Sequence, residues 1–429
     1  MGLLPPRSPG RQPLLSDAWA KSWPKVAIPI AMSALLLQLL FLGNLSYLFG
    51  ALFRSNTRSH ALKILAVDYD GGNIGKAMSM AYTSLEADTF PTLEFRSPED
   101  YPSPDDLHNA VCKGGYWGAI YTHSGASDRL NQAVRVENTT VYNPAETISY
   151  TYNGVFFPTI ASSVIDSSLA RLVNVASRTY YRVARDDAAA VNMTDPVSSS
   201  VFLNPIQPSS DPIMPTIQGA RALLNTVSMV FPALMQFFFL MGLNGIMFGA
   251  GIFANMSKRD VFLTRLFVGK VYTLVSALGT IGYIWAFRES WGVTTAQFFI
   301  SWMVLWLFME VQYLVIDTMM ESVVPLQFFA FFLVTWIITN IGSTVNPFEL
   351  TAGFYRWGYA LPARSTWILL LEIWSGGCRS EKEICLPVLF AWWLLGSLGS
   401  AWSVRQRCLL ADQKKKEKFE SEGSSEGSS

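Results

Sequence analysis

The sequence predicts an α-helical polytopic membrane protein of six transmembrane helices, with an extracytosolic α/β domain inserted between helices 1 and 2. Three observations carry that prediction. Of the 429 residues 50% are hydrophobic and only 15% are charged, against about 25% in an ordinary soluble chain. The deficit is uneven, because residues 54–221 have a soluble domain's mix whereas 222–404 hold few charges. Uncharged stretches also recur at bilayer length, since about 30 Å of hydrocarbon takes about 20 apolar residues to cross as a helix.

The first span falls at 26–53, behind a hydrophilic cytosolic tail at 1–25, and contains AMSALLLQLLFLGNLSYLFGALF. It is about twice as long as the apolar core of a cleaved signal, which runs about 7–15 residues, and so reads as a retained anchor. The second uncharged stretch, Ala222 to Ser257, is long for one helix and implies a tilt, a kink at Pro232 or an overrun past the surface. Leu266 to Phe287, interrupted by Lys270, is the third, and Trp291 to about Ile316 the fourth. The fifth falls between Glu321 and Glu349, and the sixth is Ile384 to Val404. WILLLEIW at 367–374 is too short to span and reads as interfacial or re-entrant, within an interfacial segment near 349–383. The lysine run and EGSSEGSS end at 405–429 read as a disordered cytosolic tail drawn to anionic lipid.

Orientation follows from Lys and Arg beside the spans. With a cytosolic N-terminus, the inner segments hold Arg7, Arg11, Lys21, Lys25, Lys258, Arg259, Arg265, Arg405, Arg407, Lys414, Lys415, Lys416 and Lys418. The short outer segments hold only Arg288, Arg356, Arg364, Arg379 and Lys382. Both termini are therefore expected in the cytosol, and 54–221 outside. Asn138 and Asn192 head glycosylation triplets on that outer side, while Asn255 heads one on the inner side that stays bare. Cys378 and Cys385 share the last outer segment and are the expected disulfide; the alternative is two free thiols. Cys408 offers a palmitoylation position.

In the outer domain LKILAVD at 62–68, TLEFR at 92–96, YWGAIYT at 116–122 and TISYTYNG at 147–154 read as strands. Helical spacing follows the turn at Asp70–Asn73 and the start at Ser103–Asp106, and a long helix is expected from Pro158 to about Asp187. The Pro/Ser-rich stretch 195–215 reads as an extended return to the membrane. GGNIGK at 71–76 fails the phosphate-loop pattern: three residues separate Gly71 from Gly75, and Ala77 follows Lys76. It reads as a tight turn opening a helix. His60, His108 and His123 lack metal-ligand spacing, and no nucleophile elbow occurs, so neither a metal, a cofactor nor an enzymatic activity is expected. The formal net charge of +0 offers nothing to nucleic acid, and the partner expected is the bilayer.

In the bundle Gly242, Gly245 and Gly249 share a helix face and read as a close-packing surface, with a substrate lining as the alternative. Glu310 and Asp317 share a face of the fourth span. An acid at membrane depth is costly and marks function by default. Glu310 is therefore the candidate for a substrate, proton or gating role, with Asp317 read as interfacial. Lys270 reads as a snorkelling anchor. Trp285, Trp291, Trp357, Tyr359 and Trp367 read as an aromatic belt.

The layout from about residue 22 to 405, with VDYDGGNIGKAM after the first span and NPFELTAGFYRWGYALPARSTW before the last, resembles the fungal nitrosoguanidine-resistance protein family. The plan is similar to the membrane subunits of ABC-2-type exporters and to the bacterial phage-infection-protein group, which also place a large outer domain between the first two of six helices. The resemblance implies a plasma-membrane protein conferring resistance to toxic small molecules by efflux or as an exporter subunit. Because the chain carries no ATPase motif, either a separate ATPase subunit supplies the energy or the protein does not pump; a homo-oligomer is the other partner expected. The alternative it leaves is a non-transporting organiser acting on lipid distribution or scaffolding other proteins; a secretory-pathway membrane fits the same topology.

Overall fold

The computed structural model describes residues 23–135, 142–184, 195–216 and 219–426. The chain is mostly helical. Among the described residues five helices are long and apolar enough to cross a membrane: α1 (Trp23–Leu52), α7 (Val227–Gly249), α8 (Lys258–Ala286), α9 (Thr295–Met319) and α12 (Lys382–Glu426, apolar in its first part). The helix expected between Glu321 and Glu349 is shorter. A 3-10 turn at Leu326–Phe328 leads into α10 (Phe329–Gly342), whose 14 residues extend about 21 Å at 1.5 Å each. Pro325 sets the start, and the remaining apolar residues turn through Ser343–Pro347 instead of lengthening the helix.

The excess length of the stretch after residue 222 is resolved by a turn. α7 keeps Pro232 inside it and stops at Gly249; Gly251 then takes a φ of 67°, which a residue without Cβ adopts at no steric cost. A four-residue helix, Ile252–Asn255, follows. α9 is the axis of the bundle, and α7, α8 and α12 pack around it. α1 is the outermost helix: only Asn44 and Ala51 are buried along it. It leans on α10 through Asn44, which donates to Thr335 Oγ1 at 3.2 Å.

Between α1 and α7 in the chain lies a five-stranded sheet, in the order β2-β1-β3-β4-β5. Its strands are β1 (Lys63–Asp68), β2 (Thr92–Arg96), β3 (Gly118–Thr122), β4 (Ile148–Tyr152) and β5 (Pro208–Ser210). β1 runs parallel to β2 and β3, whereas β4 is antiparallel to β3. Side chains alternate across β1. Ile64 and Ala66 join the core shared with α2 (Asn73–Leu85) and α5 (Ser167–Val183), and Leu65 and Val67 pack with Leu107 and Val111 of α3 (Pro104–Cys112). α4 (Ala126–Val134) closes the β3–β4 connection. The helix expected from Pro158 arrives in three pieces, Pro158–Ile160, a π segment at Ala161–Asp166, and α5.

Several expectations change. The stretch 195–215 is not simply extended: Asp195 accepts from the Ser198 amide at 2.7 Å and caps α6 (Pro196–Leu203), after which β5 joins the sheet. The run at 367–374 belongs to α11 (Pro362–Trp374), which is buried in protein rather than laid on an interface; Trp367 and Trp374 are 0% exposed. Trp291 is buried as well, so of the side chains expected in an aromatic belt only Trp357 and Tyr359, each 44% exposed, and in part Trp285 face outward. The C-terminal segment continues α12 to Glu426 instead of losing structure, as its run of Lys, Glu and Gln favours. Lys258 to Asp412 at 3.2 Å and Lys415 to Asn255 at 3.1 Å tie that extension to the turn after α7.

The disulfide joins Cys112 to Cys378, not Cys378 to Cys385. Gly376 and Gly377, at φ 74° and 96°, turn the chain so that Cys378 meets the end of α3. Cys385 lies on α12 with its thiol turned into the core, and is free. The next residue strengthens this junction. Arg379 donates its amide to Cys112 O at 2.6 Å, and its guanidinium lies over the rings of Phe156 (4.3 Å) and Trp117 (5.0 Å). Phe157 meets Trp367 edge-on at 6.1 Å, so a single apolar core runs from the sheet into the helices.

Candidate functional site

The two acids singled out in the sequence lie on one buried face of α9. Seven residues separate Glu310 from Asp317, which is two helical turns and about 10.5 Å along the axis. Glu310 is 5% exposed and Asp317 0%. Asp317, read as interfacial from the sequence, is enclosed by protein. Its position follows from α9 being surrounded on every side by α7, α8, α11 and α12.

Each acid has found a cation. Glu310 Oε2 is bonded to the ammonium of Lys270 on α8, and its Oε1 accepts from the Thr273 hydroxyl one turn on. The indole of Trp306 donates to Thr273 Oγ1 at 3.2 Å, and Lys270 lies 5.5 Å from the Trp393 ring centre. Lys270, read as a snorkelling anchor, is thus the counter-ion of Glu310, with its side chain 39% exposed.

Asp317 holds a larger set. Its Oδ1 accepts from Arg265 Nη2 at 2.6 Å and from Arg407 Nη1 at 2.7 Å, and its Oδ2 accepts from Ser400 at 2.6 Å. Its backbone carbonyl accepts from Arg407 Nη2 at 2.7 Å and from Ser403 at 3.0 Å. Arg265 also donates to Asn244 Oδ1 on α7 at 2.8 Å. One carboxylate therefore ties together α7, α8, α9 and α12. Both arginines are 2% exposed. In the sequence they read as loop charges at helix ends. The signal that would have found them is an Arg just inside an apolar helix, at the depth of an acid on a neighbour.

Between the two acids Tyr313 fills the face. Gly269 of α8 makes room for it, since a Cβ there would lie 2.7 Å from Tyr313 Cζ. A cavity of about 30 Å³ adjoins Arg265, Tyr313, Ser397 and Ser400. The arrangement offers buried charge in two clusters on one face of α9. Among the described residues no group of three His, Cys, Asp or Glu side chains is placed to hold a metal.

The other predicted positions lie apart from this face. Asn138 and Asn192 fall outside the described residues. Gly242, Gly245 and Gly249 do not close-pack: a Cβ on any of them would meet nothing within 4 Å. Glycines that do meet a neighbour include Gly269 of α8 and Gly396 and Gly399 of α12, which face α9. In the sheet unit the turn after β1 is held by carboxylates, as Asp68 accepts from the Gly71 amide at 3.1 Å and Asp70 from the Ser127 amide at 2.8 Å. His108 pairs with Asp211 at 3.1 Å and His123 with Ser149 at 2.8 Å.

Residues 33–398 match the family described as "Protein of unknown function (DUF3533)". No curated protein and no solved structure matches the chain.

Proposed function

We propose that this chain, which belongs to the DUF3533 family, is a multi-pass membrane protein that lowers exposure to toxic amphipathic small molecules by moving them outward, as a transporter or as the membrane subunit of an exporter. The observation carrying the reading is the pair of carboxylates on the buried face of α9, each held by a cation from α8. Charges within a membrane bundle cost several kcal/mol unless paired, and their usual uses are ion or substrate pathways and switching contacts. A contact that links four helices through one carboxylate is suited to switching, because exchanging its partners shifts several helices together.

In this reading the chain sits in the plasma membrane with both termini cytosolic and the sheet unit outside. The resemblance to the fungal nitrosoguanidine-resistance family and to ABC-2-type exporter subunits supports the same assignment. Energy comes from a separate ATPase subunit, as it does for exporter membrane subunits of that plan. The second reading, a non-transporting organiser of lipids or partner proteins, is favoured by one feature: both acids are already fully engaged, as in a static scaffold.

An accumulation assay separates the two. Cells expressing the full chain should hold less of a fluorescent amphipathic toxicant than cells without it, and Glu310→Gln at equal expression should abolish the difference. Unchanged accumulation alongside persistent resistance would remove the efflux reading and leave the organiser.

A further inference from the structure

A second polar cavity, of about 40 Å³, lies outside the α9 face, where the sheet unit meets the helices. Its charged wall alternates in sign. Glu349 accepts from Arg379 Nη2 at 3.0 Å, Arg379 Nε lies 3.9 Å from Glu381, and Glu381 accepts from Arg364 Nη2 at 2.8 Å. The remaining wall is aromatic, and the Arg364 guanidinium lies 4.1 Å from the Tyr359 ring centre and 5.3 Å from that of Phe348.

Arg364 is the unusual member. It is 6% exposed, and its Nη1 is buried without a hydrogen-bond partner. A buried donor left unpaired costs about 1–3 kcal/mol, and more on a charged group. The cavity beside it exceeds the ~10–15 Å³ that one water requires. The acceptor missing from the protein has room to come from a ligand.

The wall's charge narrows the ligand. Two arginines and two glutamates cancel, so a bare anion would meet Glu349 and Glu381, and a bare cation would meet the arginines. A molecule bearing both charges satisfies both, with its oxyanion at Arg364 Nη1 and its cation against Glu349, whose side chain is 34% exposed. The surroundings indicate where such a molecule would come from. The segment Gly353–Ala360 beside the cavity presents Phe354 at 71% exposure and Trp357 and Tyr359 at 44%. Aromatic side chains so placed at the ends of apolar helices mark headgroup depth.

We propose that the cavity between Arg364 and Glu349 binds the zwitterionic headgroup of a phospholipid, phosphate on Arg364 and ammonium on Glu349. The cavity is partly open, so it seats the charged atoms of the headgroup against its wall while the acyl chains lie outside along the aromatic edge. The site does not depend on transport, so it stands or falls separately from the efflux reading.

The test is calorimetric titration of the full chain in a maltoside micelle with three probes: short-chain phosphatidylcholine, short-chain phosphatidylglycerol and free phosphocholine. The phosphatidylcholine should bind saturably, and Arg364→Gln and Glu349→Gln should each weaken it about tenfold or more, as loss of a charged hydrogen bond implies. Tighter binding of the lipid than of phosphocholine identifies the membrane as the source, and equal binding identifies a soluble zwitterion with the same chemistry. Phosphatidylglycerol binding as tightly as phosphatidylcholine would overturn the assignment. So would the absence of saturable binding, which leaves water in the cavity, or binding unaffected by either substitution. Should Arg364→Gln aggregate on gel filtration, Glu349→Gln, at a partly exposed acid, decides the matter alone.

Discussion

Arg407 Nη1 lies 2.7 Å from Asp317 Oδ1, and ninety residues of chain separate the two. With Arg265 on the other side of the same oxygen, this contact closes the bundle around α9. The pair's net contribution to stability is small, because desolvation offsets attraction. Removing one member is another matter, since it strands a charge. Asp317→Ala is expected to destabilise the bundle by about 3–5 kcal/mol. Replacing Asp317, Arg265 and Arg407 together with apolar residues of similar size should restore most of that loss. Thermal unfolding of the detergent-solubilised chain measures both, and a triple variant no better than Asp317→Ala would show that the cluster is not an electrostatic unit.

Glu310 and Lys270 form a simpler pair, and Lys270 is partly exposed at 39% of its side chain. Glu310→Gln keeps the hydrogen bond from Thr273 and leaves Lys270 free to reach outward, so stability should fall by less than for Asp317→Ala. A Lys270→Met, Glu310→Leu double variant is expected to be as stable as the native chain but without activity in the accumulation assay. If the double variant retains activity, the pair is structural.

The glycines allow a direct comparison of two surfaces. Added Cβ atoms would lie 2.8 Å from Leu314 Cβ at Gly396 and 2.6 Å from Thr318 Oγ1 at Gly399, so alanine at either position pushes α12 away from α9. Destabilisation of about 1–3 kcal/mol is expected from overpacking. Gly245→Ala meets open space and should be neutral or stabilising by up to about 1 kcal/mol through helix propensity. The order of melting temperatures of the three variants checks this.

The same contrast shows what could be read in the sequence. Strands β1 to β4 and the five long helices were legible because burial sets their periodicity and length locally. That Glu310 and Asp317 share one face of α9 was legible from their spacing, seven apart in an apolar run, whereas Asp317, near the helix end, read as interfacial and only the packed bundle shows it buried. Their partners were not legible, because Arg265 and Arg407 lie at helix ends where a charge also suits a loop, and only the packed bundle distinguishes the two. Gly242, Gly245 and Gly249 failed for a related reason: helical spacing defines a face, but not what lies against it. The disulfide misled through proximity. Cys378 and Cys385 are neighbours in the chain, whereas the turn at Gly376–Gly377 directs Cys378 towards α3.

That bridge leads to a count. Of four cysteines two are paired and two, Cys385 and Cys408, are free. Unfolding without reductant and labelling with a maleimide should add two labels; Cys112→Ser should raise this to three and Cys385→Ser lower it to one. Loss of the bridge is expected to cost about 2–5 kcal/mol, measured as a lower unfolding temperature. One label on Cys112→Ser and three on Cys385→Ser would instead indicate that Cys378 pairs with Cys385.

His123 follows β3 and is hydrogen-bonded to Ser149 of β4. Burial, reinforced by the nearby Arg129 and opposed by Glu146, holds its imidazole below the ordinary value of 6.5. The folded unit therefore favours neutral His123, while an unfolded chain takes up a proton near 6.5. The unfolded state binds more protons in the window below 6.5, so stability rises with pH there. The contribution is present above 6.5 and is lost as pH falls towards the depressed folded value, below which no further loss occurs from this group. His123→Gln keeps a partner for Ser149 but cannot titrate. Thermal unfolding of the full chain between about pH 7.5 and 5, the range in which histidine charges, should show a decline in the native protein that is shallower in His123→Gln. Parallel curves would mean that His123 does not carry the acid sensitivity of the sheet unit.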